Sequence, residues 1–473
     1  MKKEMSVSLA LLPIVTIIVA ASFSVFVWKA GMHFPLIFGI IVAAFVAVIC
    51  DRKWQDAQTM MVNGVSRALP AIFILLIIGT IIGSWIASGV IPTIIFYGLS
   101  IIQPEIFLPI VALVTGIVAV TLGSSFTAIA TIGLAFMVIG EGLGFPAGIV
   151  VGAIISGAFF GDKLSPVSDT TNIAPAMAET DLFSHVKHML WDTIPAFLLS
   201  IIIFGVVGMS GSHSGTANAN TISDIKSGLD ELFVIHPLLL LMPILTIILM
   251  IKKTPAIPAL ISVSLLGALL AIVIQDSSVT AIINVMTSGF TAESGIPTID
   301  SLLNHGGLTS MLETIALVIL ATALGGLLES TGAFHILTKK IMANVKSTGS
   351  LIASTILSTF LVAFATGAQL LAIMLPARTF VQKYKAMSID TINLSRAVEA
   401  AGTVGINLVP WGVPAVFVSG LFDISPIEFI PYAFFVFLVP LINLIFGFTG
   451  WTITRRHYEK EHVDSSLKGE QVI

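Results

Sequence analysis

The feature that most constrains this chain is the length of its uncharged runs. No Asp, Glu, Lys or Arg occurs in residues 8–28, 34–50, 68–102, 106–140, 142–161 and 193–209, nor in 232–251, 254–275, 314–328, 347–377, 400–422 and 429–454. About 20 apolar residues suffice for a helix to cross the hydrocarbon of a bilayer. Backbone groups at that depth must be satisfied inside the segment, which leaves helices as the natural reading of runs this long. Charged residues are 10% of the 473, against about 25% in an ordinary soluble chain, which excludes a soluble globular protein. The expectation is an all-α polytopic membrane protein. A net charge of −4, small and scattered, offers nothing to nucleic acid. The one cysteine, Cys50, cannot form an intrachain disulfide. Lys2 and Lys3 before the first run resemble a signal peptide, but that run is too long and a second follows closely, so a retained first span is expected.

The chain reads as two halves. Residues 1–209 and 232–454 carry the apolar runs, residues 210–231 form a polar, Gly/Ser/Asn-rich linker, and residues 455–473 form a charged tail. Gly123 and Gly367, Gly161 and Gly405, Leu164 and Leu408, and Pro166 and Pro410 all pair at one offset of 244 residues. Gly89 and Gly332 pair at 243. Lys/Arg-rich short loops stay in the cytoplasm. Lys2, Lys3, Arg52, Lys53 and Arg67 flank the first three spans of the first half, whereas Lys252, Lys253, Lys339, Lys340 and Lys346 fall at the inverted positions of the second. The expectation is two inverted structural repeats of roughly 11 to 14 membrane segments in all. Both termini would be cytoplasmic, the tail through Arg455, Arg456, Lys460 and Lys468.

Two runs exceed one crossing. Residues 106–140 are interrupted at Gly123-Ser124-Ser125, and residues 347–377 at the equivalent Thr366-Gly367-Ala368-Gln369. Each is two short spans or a span followed by a re-entrant hairpin arm. Non-helical backbone at membrane depth is tolerated beside protein or a water-filled cavity, so Ser124, Ser125, Thr366 and Gln369 are candidate site residues. The alternative is that they serve only close helix packing.

A third break is richer. After the small-residue run 148–161 comes Gly161-Asp162-Lys163-Leu164-Ser165-Pro166-Val167-Ser168-Asp169-Thr170-Thr171-Asn172. Pro166 disfavours helix at Ser165, freeing carbonyls where Ser165, Ser168, Thr170, Thr171 and Asn172 gather beside two carboxylates. Na+ is a hard cation that takes oxygen ligands, and unwound helices supply them. Burial favours the neutral form of a carboxylic acid, so a proton and Na+ can compete for Asp162 or Asp169, the minimal chemistry of an antiporter. Asp169 is preferred, because Lys163 stands beside Asp162 as a structural partner. The plainer alternative is an interfacial loop with turn residues. The second-half counterpart, 399–412, has no acid at its break and offers Thr403 and Asn407. Glu399 there is a buried proton carrier or half of a structural ion pair with Arg396.

The string from Asp162 to Asn172, the later Asp181-Leu182 with His185 and Met189, the segment from Glu399 to Trp411 and the turn Gly123-Ser124-Ser125-Phe126 resemble the NhaC family of bacterial Na+/H+ antiporters, within the ion transporter superfamily. The resemblance spans essentially the whole chain, with Gly412 where Asn is expected after the Pro-Trp pair. It implies a secondary transporter of the bacterial cell membrane that exchanges Na+ for H+, with no cofactor and with Li+ as a further ion. The alternative it carries is an exchanger of malate for lactate coupled to Na+ and H+, whose carboxylate substrate would use Lys163 or the hairpin tips. A homodimer is left open. No nucleotide-binding, His-Glu-x-x-His or nucleophile motif points to an enzyme. His185 and His188 read as interfacial rather than as a zinc pair. Glu141 reads as loop, and Arg378 as reaching the interface.

The orientation is testable. With Cys50 replaced, single cysteines at positions 3 and 465 should be labelled by impermeant reagents only from the cytoplasmic side, and one at position 214 only from outside. Labelling of position 214 from the cytoplasm alone would overturn it.

Overall fold

A computed structural model describes residues 6–28, 30–101, 103–166, 168–209, 219–252, 254–296, 299–300, 303–343 and 345–456. Among these, structure is helical apart from one isolated bridge between Ile389 and Arg455. The protein is a multi-pass membrane protein. Eight described helices are long and apolar enough to cross a bilayer, and eleven if each of three bent pairs is one span.

The first half contains α1 (Val7–Ser22), α2 (His33–Ile49), α3 (Trp54–Ser66), α4 (Leu69–Ala87), α5 (Val90–Ile101), α6 (Pro104–Leu122), α7 (Ser125–Gly142), α8 (Ala147–Leu164), α9 (Asp169–Met177) and α10 (Leu182–Met209). Then comes α11 (Ala219–Leu232). The second half contains α12 (Leu241–Ile251), α13 (Ala256–Ile274), α14 (Val279–Ser288), α15 (Leu312–Ser330), α16 (Ala333–Met342), α17 (Thr348–Thr366) and α18 (Gln369–Ala386). The next element, α19, is compound: α-helix Thr391–Glu399, π turn Ala400–Val404 and 3-10 turn Gly405–Leu408. The last two are α20 (Val413–Phe422) and α21 (Phe434–Thr449). The bounds echo the sequence offset: α17 starts and ends 244 residues after α6, α19 does so after α8, and α18 and α20 start 244 residues after α7 and α9.

The long uncharged runs fold into two hairpins. Phe107, near the start of α6, packs edge-to-face on Phe136, near the end of α7, at 6.3 Å. In the second hairpin the Thr355 hydroxyl of α17 lies 3.1 Å from the Tyr384 hydroxyl of α18. The tips turn at Gly123 and Gly367, whose φ values of 68° and 62° lie in the left-handed region that glycine enters without penalty. Arms of 19 and 18 residues in each hairpin are long for half-depth arms, since about 20 residues cross the hydrocarbon.

Small residues bring α8 against α6. A Cβ on Gly161 would meet the Ala119 Cβ at 2.5 Å and the Val120 nitrogen at 2.6 Å, so the two backbones touch along this seam, as close helix packing in lipid requires. The start of α8 packs at Gly152 on Tyr432, beyond the end of α20, with a Cβ there 2.6 Å from the Tyr432 Cβ. Past the end of α9, Glu179 pairs with Lys385 at 2.5 Å, just ahead of α19. The start of α8 thus meets the segment after α20, and the segment after α9 meets the end of α18, just ahead of α19.

The polar linker differs from expectation over part of its length. Residues 219–232 form α11, whose Ile225 and Leu229 are buried. One helical turn separates them, so they make an apolar face that a polar average conceals. Residues 210–218 of the linker and 457–473 of the tail lie outside the described residues, as does the N-terminal Lys2-Lys3 pair.

Candidate functional site

The helix end at 162–171 shows how local sequence builds a polar pocket in an apolar bundle. Ser165, ahead of Pro166, is extended, with φ −81° and ψ 120°. Part of the freed backbone is satisfied by hydroxyls. Thr171 Oγ1 donates to the Asp162 carbonyl (3.1 Å) and the Lys163 carbonyl (3.3 Å). Ser165 Oγ donates at 2.8 Å to the Val120 carbonyl. Val120 lies in the last turn of α6, so this bond ties the helix break to the first hairpin tip. In the second half Trp411 Nε1 donates at 2.6 Å to the Phe364 carbonyl, 244 residues on from Val120, and the Val413 amide donates to the Gly367 carbonyl at 2.8 Å.

That seam carries Ser125 onto Asp162. The Ser125 hydroxyl donates to Asp162 Oδ2 at 2.7 Å, both residues are buried, and the Ser168 hydroxyl also faces the carboxylate. Ser168 and Thr170 share a hydroxyl contact at 3.1 Å. The other polar candidates are held in structural bonds. Ser124 caps α7 by accepting from the Thr127 amide (3.3 Å) and hydroxyl (3.0 Å). Asn172 closes the 165–168 turn through the Pro166 and Ser168 carbonyls. Thr366 donates back to Val362 and caps the Ala368 amide.

Three expectations change. Asp169 is exposed at the first turn of α9 whereas Asp162 is buried, so the carboxylate withdrawn from water is Asp162. Lys163 does not pair with Asp162. Successive residues on a helix do not face each other, and Lys163 Nζ instead reaches across to α10, 3.2 Å from both Asp192 oxygens, with both side chains fully buried. Arg396 does not pair with Glu399 either: its Nε donates to Asn443 Oδ1 and its Nη1 to Thr452 Oγ1, each at 3.0 Å.

Glu399 is thereby left without an ion-pair partner. It is fully buried, and neither of its oxygens has a hydrogen-bond partner, although Lys163 and Asp162 lie within electrostatic reach and the Thr403 and Thr170 hydroxyls face it. Thr403 Oγ1 and Asn407 Oδ1, at the next two turns of α19, are buried and unpartnered too. Thr403 lies in the π turn of α19, with Glu399 just before it and Asn407 in the 3-10 turn beyond, and π turns are frequent at functional sites. Gln369 Nε2 donates to the Thr403 carbonyl at 3.1 Å, so each hairpin tip contacts a broken helix: Ser125 on α8 and Gln369 on α19. Phe126 of the first hairpin meets Phe417 of α20 edge-to-face at 4.8 Å.

His185 and His188 are buried in the bundle, His185 Nδ1 lying 2.8 Å from Ser395 Oγ and His188 Nε2 3.3 Å from Asn393 Oδ1. Among the described residues no group of three His, Cys, Asp or Glu could hold a metal. Asp181, ahead of α10, accepts from the Ser184 amide at 2.8 Å, and hydrogen bonds to Ser184 hold its carboxyl below the usual range. It is a helix cap. Sequence reasoning missed Asp192 and Asn443. Asp192 immediately precedes the uncharged run 193–209. Its signal is its position nearly three turns inside the 28-residue α10.

The sequence model of the Na+/H+ antiporter family matches residues 1–171 and 157–451. The chain belongs to that family. It is 39% identical to the Na+/H+ antiporter NhaC of Alkalihalophilus pseudofirmus, over 95% of this chain and 97% of that one. It is 34% identical to the malate-2H+/Na+-lactate antiporter of Bacillus subtilis, over 91% of each. It is also 33% identical to the arginine/ornithine antiporter ArcD of Halobacterium salinarum, over 98% of this chain and 96% of that one. The family is thus shown across the whole chain, among relatives named for different substrates.

Replacing Ser125 by Leu removes the hydroxyl that faces Asp162, and Gln369→Leu removes the amide bonded at Thr403. Each places an apolar group against buried polar atoms. Both should raise the Na+ concentration for half-maximal exchange, about tenfold for Ser125→Leu, a change worth about 1.4 kcal/mol. Unchanged Na+ dependence in both folded variants would remove the hairpin tips from the site.

Proposed function

We propose that this chain exchanges Na+ for protons across the bacterial cell membrane, and that Asp162 carries the two cations alternately. The observation that carries this reading is a buried carboxylate at a helix break whose adjacent lysine is taken by another acid. An unpaired charge in a dry site costs several kcal/mol, so a carboxylate without a counter-ion is neutralised by a proton or by a bound cation. Either occupant excludes the other, and exchange follows if the occupied forms alone reorient.

The surrounding groups suit a hard monovalent cation. Ser125 and Ser168 hydroxyls face Asp162, and Glu399, Thr403 and Asn407 add unpartnered oxygens. The hydroxyl of Ser125 can turn, donating to the ionised carboxylate or presenting its lone pairs to Na+. Two halves that break at equivalent places, together with the inverted charge pattern of the sequence, support alternating access, with the site between the repeats. The same oxygens would take Li+. The organic-acid alternative has weaker support, because Lys163, its main cation for a carboxylate substrate, is bound to Asp192.

Asp162→Asn keeps size but carries neither proton nor charge. In proteoliposomes this variant should lose Na+-driven proton movement, while Asp169→Asn, altered at an exposed position, keeps it. Malate and lactate should leave the wild-type exchange unchanged in a counterflow assay. Normal exchange by Asp162→Asn would contradict the assignment, and malate-dependent exchange would favour the organic-acid reading.

A further inference from the structure

Five charged side chains meet where α8, α10, α19 and α21 cross: Asp162, Lys163, Asp192, Arg396 and Glu399, all buried. Three are acids and two are bases, so the cluster carries one negative charge in excess, with the neighbouring His185 and His188 counted neutral and Asp169 exposed outside it. Pairing is uneven. Asp192 accepts Lys163 Nζ through both oxygens at 3.2 Å, the Thr193 hydroxyl at 3.1 Å, and the Asn443 amide, which is fixed in turn by Arg396 Nε. Asp162 has the Ser125 hydroxyl as its hydrogen-bond partner, and Glu399 has none. Yet Lys163 is next to Asp162 in sequence and within electrostatic reach of Glu399. A lysine side chain has four flexible carbons and carries a compact charge. Released from α10, it could serve as the site's own cation.

We propose that Asp192 is a positioning residue: it holds the Lys163 ammonium away from Asp162 and Glu399, leaving the cluster's excess negative charge for one transported monovalent cation. This inference rests on the antiport reading given above and adds the device that keeps the site from neutralising itself. Asn443 and Thr193 are part of it, because they saturate Asp192 and aim it at Lys163. Arg396 holds Asn443 in the orientation whose amide faces Asp192. The acid that binds Lys163 comes from α10, outside both hairpins, so cation capture depends on how α10 packs on α8.

Charge counting gives the test. Asp192→Asn makes the cluster self-neutral, Lys163→Gln leaves it with two excess negative charges, and the double variant restores one. The Na+ dependence of proton exchange is measured in proteoliposomes for these variants, with KM for Na+ separated from kcat. Asp192→Asn should raise KM by about tenfold or more, the factor that about 1.4 kcal/mol represents. Lys163→Gln should lower KM, and the double variant should return it close to wild type. A merely structural ion pair makes the opposite prediction, because breaking it from either side leaves an uncompensated buried charge and both single variants then suffer alike. Unchanged KM in Asp192→Asn, or an equal rise in both single variants, overturns the proposal. Should Asp192→Asn not assemble, Lys163→Gln decides: a lowered KM for Na+ supports the proposal, and an unchanged or raised KM overturns it. Loss of exchange in Asp162→Asn together with a normal Asp192→Asn would remove this inference alone. Normal exchange in Asp162→Asn would remove the site reading and this inference together.

Discussion

The bond from the Ser125 hydroxyl to Asp162 joins the first hairpin tip to the broken helix, and much else in the structure serves to bring those two residues together. α6 must stop at Gly123 for Ser125 to begin α7 facing α8. The α6–α8 seam must be narrow, which Gly157 and Gly161 provide because a side chain at either would strike α6 backbone. α8 must end at Ser165 so that Asp162 sits in its last turn. The carboxylate then lies in an apolar bundle with hydroxyls and no cation of its own. A buried acid without a counter-ion is costly, and under the proposed mechanism a transported cation or a proton relieves that cost.

The two halves meet that constraint unequally. Their helix bounds coincide at one offset and their hairpin tips turn at equivalent glycines, but the first half places Asp162 and Lys163 at its break where the second has Ile406 and Asn407. The second half contributes Glu399 from about two turns earlier, with Thr403 and Asn407 along the same stretch of α19. The two breaks thus differ in chemistry. The charged cluster lies across the junction: α8 and α10 come from one half, α19 and α21 from the other. Any relative movement of the halves acts on those buried bonds.

Much of this was legible in the sequence, for physical reasons that can be named. Uncharged runs longer than a crossing announced the hairpins, since Gly123 and Gly367 interrupt runs that hydrophobicity alone would continue. Pro166 announced the break at Ser165, and the clustered hydroxyls announced polar backbone needing partners. What stayed hidden was which charge pairs with which. Adjacency suggested Lys163 with Asp162 and helical spacing suggested Arg396 with Glu399, but helix packing sends Lys163 to Asp192 and Arg396 to Asn443 and Thr452. Tertiary contacts decide long polar side chains, and they are invisible to local spacing. The same limit ranked Asp169 above Asp162, because burial is a property of the bundle. In 219–232 the average polarity concealed a helix that Ile225 and Leu229 anchor.

The central claim is that proton and Na+ contend for one carboxylate, and proton release tests it without transport. Purified protein in detergent and weak buffer is given NaCl or choline chloride while pH is followed, with Na+ binding measured in parallel by calorimetry. If the carboxylate is shared, Na+ binding displaces protons saturably, up to about one per chain. Choline displaces none, and Asp162→Asn releases none. Saturable Na+ binding to wild type without proton release, or with release undiminished in Asp162→Asn, would contradict the account.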